Sequence, residues 1–391
     1  MDKKIYLDNA STTYVSSEVL NEMMPCFNTI YGNSNSLHSF GRDAQAMVDR
    51  ARDKISKAIN SKSDEIYFTS GGTEANNWAI KGLAMANKSK GKHIIVSKIE
   101  HDSVLESCKQ LEKEGFEVTY LNCNSEGLVS VAELLHYIRN DTILVSIMTV
   151  NNEVGTIQSI KSLASVAHDK GAIFHTDAVQ AIGHVKIDVK DMGIDAMTMS
   201  AHKIHGPKGV GALYVKNGLL INNLILGGTQ EKGKRGGTVN VPNVVGFGKA
   251  VEIATRDLIP NNQKLKTIRD YFVRNINEKI PYIHINGHQY QKVNNILNVS
   301  FEMVEGESVV MMLDLNGVAV STGSACATGS LKTSHVLKAM NLGEEYEKSA
   351  IRFSFSKSTT KEDVDYVVET LVKVIEKLRS MSPITKTGRA K

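Results

Sequence analysis

Short apolar runs alternate with stretches of helical periodicity through the first 260 residues, and this alternation is the strongest constraint on the fold. Runs that predict strands occur at 65–69, 93–97, 116–122, 143–150, 172–176, 194–199 and 210–215. A helix between two successive strands returns the chain to the end of the sheet at which the first strand began, so the two strands run parallel. The pattern therefore predicts an α/β fold with a mostly parallel sheet.

The pattern changes after about residue 260, where Pro260-Asn261-Asn262 predicts a break between two parts of the chain. Shorter strands are indicated beyond it, at 294–301 and 350–355. We therefore predict two domains. The pattern alone leaves open which domain the first dozen residues join. Our assignment places residues 15–260 in the large α/β domain, and residues 1–14 together with residues 261–391 in the small α+β domain.

Composition and charge exclude several classes of protein. Hydrophobic residues make up 41% of the chain, the net charge is only +4, and the four cysteines form no Cys-x-x-Cys pair. This argues against a nucleic-acid surface, a zinc site and a disulfide framework. No apolar run reaches the roughly 18 residues that a membrane span needs, and the N-terminus lacks the apolar core of a signal peptide. We expect a cytoplasmic protein without a membrane partner.

The first candidate for a binding site is the turn Thr69-Ser70-Gly71-Gly72-Thr73, between a predicted strand and a predicted helix. Glycines let the backbone approach a ligand closely, and the free N–H groups at the start of a helix attract an anion. The turn is neither a Walker loop nor a Gly-x-Gly-x-x-Gly motif. It predicts either a phosphate contact or an ordinary tight turn.

Two further candidates, Asp177 and Lys203, follow predicted strands. Taken alone, Asp177 is typical of a turn or cap residue, and Lys203 is typical of a surface lysine. Ligands of open α/β sheets bind at the carboxyl ends of strands, however, and a lysine desolvated there becomes a nucleophile. An aspartate, a lysine 26 residues later and an upstream phosphate turn together are the parts of a pyridoxal phosphate (PLP) site. In such a site the lysine forms the Schiff base and the aspartate pairs with the pyridinium nitrogen.

Cys326 is the last candidate, within the run of small residues Ser321-Thr322-Gly323-Ser324-Ala325-Cys326-Ala327-Thr328-Gly329-Ser330. A structural cysteine usually has large apolar neighbours, whereas this context predicts an exposed, mobile and reactive thiol. The alternative is an incidental cysteine in a glycine-containing loop.

Further motifs occur in one order along nearly the whole chain: Tyr6-Leu7-Asp8-Asn9-Ala10, Tyr31-Gly32-Asn33, Glu100-His101, Asn151-Asn152-Glu153-Val154-Gly155-Thr156, Arg235-Gly236-Gly237-Thr238 and Ile351-Arg352-Phe353-Ser354. On these motifs the chain resembles the class V aminotransferase-like, fold-type I PLP enzymes, and among them the NifS/IscS cysteine desulfurases. The resemblance implies a large PLP-binding domain with a mostly parallel seven-stranded sheet. It also implies a smaller α+β domain that carries the catalytic cysteine on a loop at about 321–331.

The resemblance implies roles for individual residues. Lys203 would bind PLP covalently, His101 would stack on its ring and transfer protons, and Asp177 would pair with the pyridine nitrogen. Gln180 would contact the phenolic oxygen, and Thr238 would reach the phosphate of the neighbouring subunit's cofactor. The full set of implied cofactor-binding residues is Gly72, Thr73, His101, Asn152, Asp177, Gln180, Ser200, His202, Lys203 and Thr238.

The implied substrate is L-cysteine, whose carboxylate Arg352 would bind with help from Asn33 and Asn152. The thiolate of Cys326 would attack the substrate sulfur, which leaves L-alanine and a persulfide on the enzyme. A sulfur-acceptor protein, either an iron–sulfur scaffold or a tRNA-thiolation enzyme, would then receive the sulfur. The resemblance further implies a homodimer with shared active sites, no direct nucleic-acid partner and no resident metal, apart from transient ligation of a cluster iron by Cys326.

Three other interpretations stay open at this point. The chain fits a selenocysteine lyase, or another class V PLP enzyme such as an aminotransferase. It also fits a sulfur-assembly scaffold that has kept the fold but lost turnover, although the joint presence of Lys203, Asp177, His101 and Cys326 argues against this last alternative.

Overall fold

The computed structural model describes residues 4–323 and 333–381. The strands are β1 (Ile5–Tyr6), β2 (Ile66–Thr69), β3 (His93–Ser97), β4 (Glu117–Leu121), β5 (Thr142–Ser146), β6 (Ile173–Asp177), β7 (Ala196–Ser200), β8 (Gly211–Val215), β9 (Ile283–Asn286), β10 (Ile296–Phe301), β11 (Val318–Ala319) and β12 (Ala350–Ser354).

The helices are α1 (Ser17–Met23), α2 (Pro25–Asn28), α3 (Ser39–Ala58), α4 (Gly72–Asn77), α5 (Leu83–Asn87), α6 (Asp102–Lys113), α7 (Val131–Tyr137), α8 (Ile160–Asp169), α9 (Val241–Arg256), α10 (Leu258–Lys279), α11 (Gly306–Asp314), α12 (His335–Ala339), α13 (Glu344–Lys348) and α14 (Lys361–Met381). A π-helical turn over Trp78–Gly82 joins α4 to α5. No helix in the described ranges is long and apolar enough to cross a membrane.

The central element is a seven-stranded sheet in the order β2-β8-β7-β6-β5-β3-β4. Its strands run parallel except β8, which is antiparallel to both of its neighbours. Every residue of β3 and of β5 to β8 is buried, as expected for a sheet covered by helices on both faces. The predicted α/β fold with a mostly parallel seven-stranded sheet is confirmed. The carboxyl ends of its parallel strands lie at the same end of the sheet.

A second, antiparallel sheet in the order β12-β10-β9 has its own apolar core with α10, α11 and α14. The rings of Phe272 and Phe353 lie at its centre, with 4.8 Å between their centroids. Ile5 and Leu7 belong to this same core, although they are near the start of the chain. The core is separate from the two cores of the large sheet. The domain bounds at residues 14 and 260 stay a prediction.

The change of element near Pro260 lies slightly upstream of the predicted break. Because α9 ends at Arg256 and α10 begins at Leu258, Pro260 lies in the first turn of α10 and not in a connecting segment. Proline is tolerated in a first turn because the N–H groups there have no acceptor within the helix.

The N-terminal residues between Leu7 and Thr13 connect the two sheets. Ser354, at the end of β12, donates its N–H to the carbonyl of Leu7 at 2.7 Å, and Thr13 donates its N–H to the carbonyl of His202 at 2.9 Å. The segment therefore passes over the carboxyl end of β7, where it supplies one wall of the site described next.

Candidate active site

A cavity of about 590 Å³ lies at the carboxyl ends of the parallel strands, between the two sheets. Most of the residues that the sequence predicted for the site line it: Gly72, Thr73, His101, Asn152, Asp177, Gln180, Ser200, His202, Lys203 and Arg352. They come from widely separated parts of the chain. The sheet topology brings them together because the parallel strands all end on the same side of the sheet.

A buried carboxylate, Asp177, lies at the end of β6. Its Oδ1 accepts the N–H of Val179 at 2.9 Å, and its Oδ2 accepts a hydrogen bond of 2.6 Å from Nδ2 of Asn76. The Asn76 amide also donates to Oγ of Ser103 at 2.8 Å. The carboxylate is thus held on both oxygens, and Asn76 is a site residue that the sequence did not single out.

The predicted phosphate turn links β2 to the start of α4. Gly71 has φ 156° and ψ −177°, a conformation that essentially only glycine adopts, so this residue redirects the chain into the helix. A Cβ on Gly72 would lie 3.7 Å from Cβ of Ser200, which brings the helix start beside the end of β7. Oγ of Ser200 is buried without a hydrogen-bond partner among the described residues. An orphaned buried hydroxyl next to helical N–H groups is suited to an anion.

Lys203 follows β7 in a short 3₁₀ turn over Ala201–Lys203. Its Nζ donates hydrogen bonds of 2.7 Å to the carbonyls of both Ala10 and Ser11. Nε2 of Gln180 donates to the same Ala10 carbonyl at 2.9 Å. The N-terminal segment therefore holds the Lys203 amine in the cavity through main-chain carbonyl groups, which are polar but carry no formal charge.

The neighbouring His202 is a neutral imidazole. Burial, and then the positive charges of Lys203 and Lys208, lower the pKa of His202 to about 4. Its Nδ1 lies 3.2 Å from Oγ1 of Thr12. At neutral pH this side chain therefore adds a hydrogen-bonding group to the cavity wall and no charge.

His101 is the N-cap of α6 and lies on the cavity wall. Its Nδ1 accepts the N–H of Ser103 at 3.1 Å, so the neutral ring carries its proton on Nε2. The preceding Glu100 is completely buried, and burial raises the pKa of its carboxyl group to about 8. Glu100 is therefore mostly protonated at neutral pH and adds little negative charge beside His101.

Arg352 projects from β12 and is only 3% exposed. Its Nη2 donates to Oδ1 of Asp8 at 2.9 Å and to Oγ of Ser11 at 2.7 Å, while Nη1 donates to the carbonyl of Asn152 at 3.0 Å. Nε has no partner among the residues that the structure describes. Asp8 is a second site residue to which sequence analysis gave no role.

Two of the predicted residues that the structure describes do not line the cavity, and a third predicted residue lies outside the described ranges. Asn33 is exposed in the turn before α3, and Thr238 is exposed in the irregular segment between β8 and α9. Cys326, with most of the predicted loop at about 321–331, lies outside the described residues. Gly323 is the last described residue before it and does line the cavity.

Comparisons with known proteins show the family of this chain. A family model described as "Aminotransferase class-V" matches residues 5–367. "Cysteine desulfurase IscS" of Clostridium botulinum (strain Hall) is 51% identical over 386 residues, which cover 98% of this chain and 97% of that protein. A protein of the same name from Dictyoglomus turgidum is 50% identical over 383 residues, with 98% and 97% covered.

A solved structure of a protein named "NIFS-LIKE PROTEIN" gives a TM-score of 0.91 at 37% identity, and the match covers 96% of this chain and 100% of that one. The family match and the relatives extend over almost the whole chain, as the motifs predicted. This chain therefore belongs to the class V aminotransferase family, and within it to the NifS- and IscS-like cysteine desulfurases.

Proposed function

We propose that this chain is a PLP-dependent cysteine desulfurase, which converts L-cysteine to L-alanine and transfers the sulfur to Cys326 as a persulfide. One observation carries the proposal: a single cavity is lined by the amine of Lys203, the carboxylate of Asp177, the imidazole of His101 and the guanidinium of Arg352. These four groups match the needs of the reaction, namely covalent attachment of the cofactor, a counter-charge for its ring nitrogen, proton transfer and binding of the substrate carboxylate.

The cavity fits PLP in size and in the chemistry of its walls. A volume of about 590 Å³ is typical of cofactor sites. The orphaned hydroxyl of Ser200 and the N–H groups of Gly72 and Thr73 would hold the phosphate, and Asp177 would hold the pyridinium nitrogen. When bound, PLP withdraws electrons from the Cα atom of the substrate and so makes its hydrogen acidic.

Lys203 and His101 are the groups that move protons in this proposal. The Lys203 amine is oriented by hydrogen bonds to two carbonyl oxygens, and it serves as the base toward the substrate Cα. His101 presents a proton on Nε2 because its Nδ1 accepts the Ser103 N–H, and it serves as the general acid.

Sulfur transfer then uses the thiolate of Cys326. It attacks the sulfur of bound cysteine, a sulfur–sulfur bond forms, and the carbon–sulfur bond breaks with its electron pair left on carbon. That carbon takes up a proton and becomes the methyl group of alanine. Gly323 lines the cavity and precedes Cys326 by three residues, so the two Cα atoms are separated by no more than about 11 Å.

We further propose a homodimer with shared active sites. Large apolar side chains are unusually exposed on the single chain, among them Tyr31 at 64%, Leu37 at 92% and Leu226 at 81%. Large apolar side chains that lie together on a surface usually mark an interface. Tyr31 and Leu37 flank Asn33, and Leu226 precedes Thr238 in the same irregular segment. A two-fold partner that covered these residues would bring Asn33 and Thr238 to the neighbouring site.

The proposal includes the class of the sulfur acceptor but no particular protein. Either an iron–sulfur scaffold or a tRNA-thiolation enzyme would present a thiol to the Cys326 persulfide. Cytoplasmic location stays a prediction.

The experiment is incubation of the PLP-loaded protein with L-cysteine, followed by measurement of alanine and by mass analysis of the peptide that contains Cys326. We expect alanine without any keto-acid acceptor and a mass increase of one sulfur atom on Cys326. Cys326→Ala should abolish both. Cys123→Ala is the matched control, because burial raises the pKa of the Cys123 thiol to about 11 and makes it a poor nucleophile.

Three outcomes would contradict the proposal. Sulfide release at the full rate by Cys326→Ala would exclude the persulfide step. Alanine formation that depends on a keto acid would indicate an aminotransferase, and turnover of selenocysteine without turnover of cysteine would indicate a selenocysteine lyase.

A further inference from the structure

One buried carboxyl group contacts both ends of the segment that carries Cys326. Glu153 is only 3% exposed, and its Oε2 accepts a hydrogen bond of 2.5 Å from Oγ of Ser334, which follows the segment. A Cβ placed on Gly323, which precedes the segment, would lie 3.0 Å from the same Oε2. Gly323 also has φ 90°, a conformation that favours glycine, so the close approach and the backbone both require this residue.

We propose that Glu153 is a positioning residue, which ties the two ends of the Cys326 segment to the turn that lines the active site. This inference rests on the proposed function, because the position of the segment matters only if Cys326 receives the sulfur. Glu153 itself does not line the cavity among the described residues, so it acts through Gly323 and Ser334 and not on the substrate.

The turn that carries Glu153 also holds the arginine of the site. The carbonyl of Asn152, the preceding residue, accepts the hydrogen bond from Nη1 of Arg352. Two main-chain hydrogen bonds join Arg352 to Ser321. The Arg352 N–H donates to the Ser321 carbonyl at 2.6 Å, and the Ser321 N–H donates to the Arg352 carbonyl at 3.3 Å. The carboxylate-binding arginine, the start of the Cys326 segment and the Glu153 turn therefore form one connected unit.

The turn is a rigid support for this carboxyl group. Oδ1 of Asn151 accepts the N–H groups of Glu153 at 2.9 Å and Val154 at 3.0 Å. Nδ2 of Asn298, from β10, donates to the carbonyl of Glu153 at 3.2 Å. Because its backbone is fixed from both sides, Glu153 can impose a position on the residues it contacts.

The charges around Glu153 indicate which substitution is conservative. Burial is the main influence and raises the pKa of Glu153, and the charge of Asp102 acts in the same direction. The hydrogen bond from Ser334 and the positive groups of His335 and Arg352 oppose this rise in pKa. Glutamine keeps a side-chain oxygen that can accept the hydrogen bond from Ser334, whereas alanine removes the contact.

The test compares the PLP-loaded wild type with Glu153→Ala and Glu153→Gln. Rapid mixing with cysteine and mass analysis give the single-turnover rate of persulfide formation on Cys326, and the absorbance change of the cofactor gives the dissociation constant for cysteine. Hydrogen–deuterium exchange at Ser321–Gly323 and at Ser334–Leu337 reports the anchoring of the two ends. The matched control is Glu65→Ala, which removes another buried, hydrogen-bonded glutamate that does not line the site.

We expect Glu153→Ala to slow persulfide formation at least tenfold, to change cysteine binding less than threefold and to accelerate amide exchange at both ends. Glu153→Gln and Glu65→Ala should form the persulfide within threefold of the wild-type rate. A wild-type rate in Glu153→Ala, or a slow rate without faster exchange, overturns the inference. If Glu153→Ala does not fold, Ser334→Ala tests the same contact from the other side, with the same outcomes. Absence of persulfide in the wild type instead contradicts the proposed function.

Discussion

Arg352 and Asp8 form an ion pair with 2.9 Å between Nη2 and Oδ1, although 344 positions separate them in the chain. Oγ of Ser11 bridges the pair, because it donates to Oδ1 of Asp8 at 2.8 Å and accepts from Nη2 of Arg352 at 2.7 Å. The guanidinium is therefore oriented without a substrate. Its Nε is buried and lacks a partner in the described parts of the chain. In the proposed function the guanidinium binds the substrate carboxylate.

This arrangement predicts that Arg352→Lys raises the KM for cysteine by about 10- to 100-fold, or roughly 1.4–2.7 kcal/mol, since an ammonium group cannot replace the planar fork of donors. Steady-state alanine formation measures the effect. Arg379→Lys is the control, because Arg379 donates to the carbonyls of Tyr282 and Glu302, away from the cavity. An unchanged KM in Arg352→Lys would remove this residue from substrate binding.

Asn76 should contribute to cofactor retention. The Asn76 amide donates to Oδ2 of Asp177 at 2.6 Å, and without this hydrogen bond the Asp177 side chain is less firmly held in the cavity wall. We expect Asn76→Ala to weaken PLP binding by about tenfold, as measured by titration of the cofactor absorbance.

Asn77→Ala serves as the control for this prediction. The Asn77 amide donates to the carbonyl of Thr73 in an exposed hydrogen bond, whereas the two hydrogen bonds of the Asn76 amide are buried. Equal cofactor affinity in the two variants would contradict a specific role for the Asn76 amide.

Asn76 and Asp8 also mark the limit of what the sequence predicts. Asp177 and Lys203 were predictable because each lies at the end of a strand of the large sheet, and topology forces such ends together. Asn76 lies 101 positions from Asp177, and its role depends on how α4 packs against the neighbouring strands β7 and β8. Asp8 acts through contacts across the whole length of the chain. The local sequence around Asn76 and Asp8 does not predict that they contact Asp177 and Arg352.

Asn33 and Thr238 show a different limit. Both were assigned by resemblance, and both are exposed on the single chain and do not line the cavity. In the proposed dimer their roles depend on the second subunit, and neither a hydrophobic pattern nor the fold of one chain specifies how two copies associate. The seven strands of the large sheet, by contrast, follow from apolar runs in the sequence, as β3 at His93–Ser97 illustrates. The strands β1, β9 and β11 were not predicted.

Glu100 gives a pH prediction. Burial raises the pKa of its carboxyl group to about 8, so between the ordinary pKa of a glutamate and about 8 the folded state holds a proton that the unfolded state has lost. The contribution of Glu100 to stability is therefore full at low pH and is lost as the pH rises toward about 8.

Glu100→Gln should remove this dependence, because its amide oxygen can still accept from Ser97 and from the N–H of Met148. Urea unfolding at pH 5, 6.5 and 8 measures it. We expect the free energy of unfolding of the variant, relative to the wild type, to increase with pH across this range. A constant difference would show that Glu100 is ionised in the folded protein throughout.

The last prediction concerns a buried ion pair that supports the segment carrying Thr238. Nη1 and Nη2 of Arg52 donate to the two carboxylate oxygens of Glu231 at 2.8 and 2.7 Å, and both residues are 8% exposed. Oε2 of Glu231 also accepts the N–H of Phe68 at 2.8 Å, and Arg52 donates to the carbonyl of Ile66. The pair thus joins α3, β2 and the segment that leads to α9.

Removal of one partner leaves the other charge buried and unpaired, which typically costs about 3–5 kcal/mol. We therefore expect Glu231→Ala to lower the free energy of unfolding by about this amount in urea denaturation. Asp191→Ala removes an exposed pair with Lys161, of similar length at 2.6 Å, and should cost less than about 1 kcal/mol. Because the Glu231 segment also carries Thr238 and Leu226, the same variant should dissociate at a higher protein concentration than the wild type if the proposed dimer forms there. Equal losses of stability in the two variants would mean that burial does not govern the strength of these pairs in this fold.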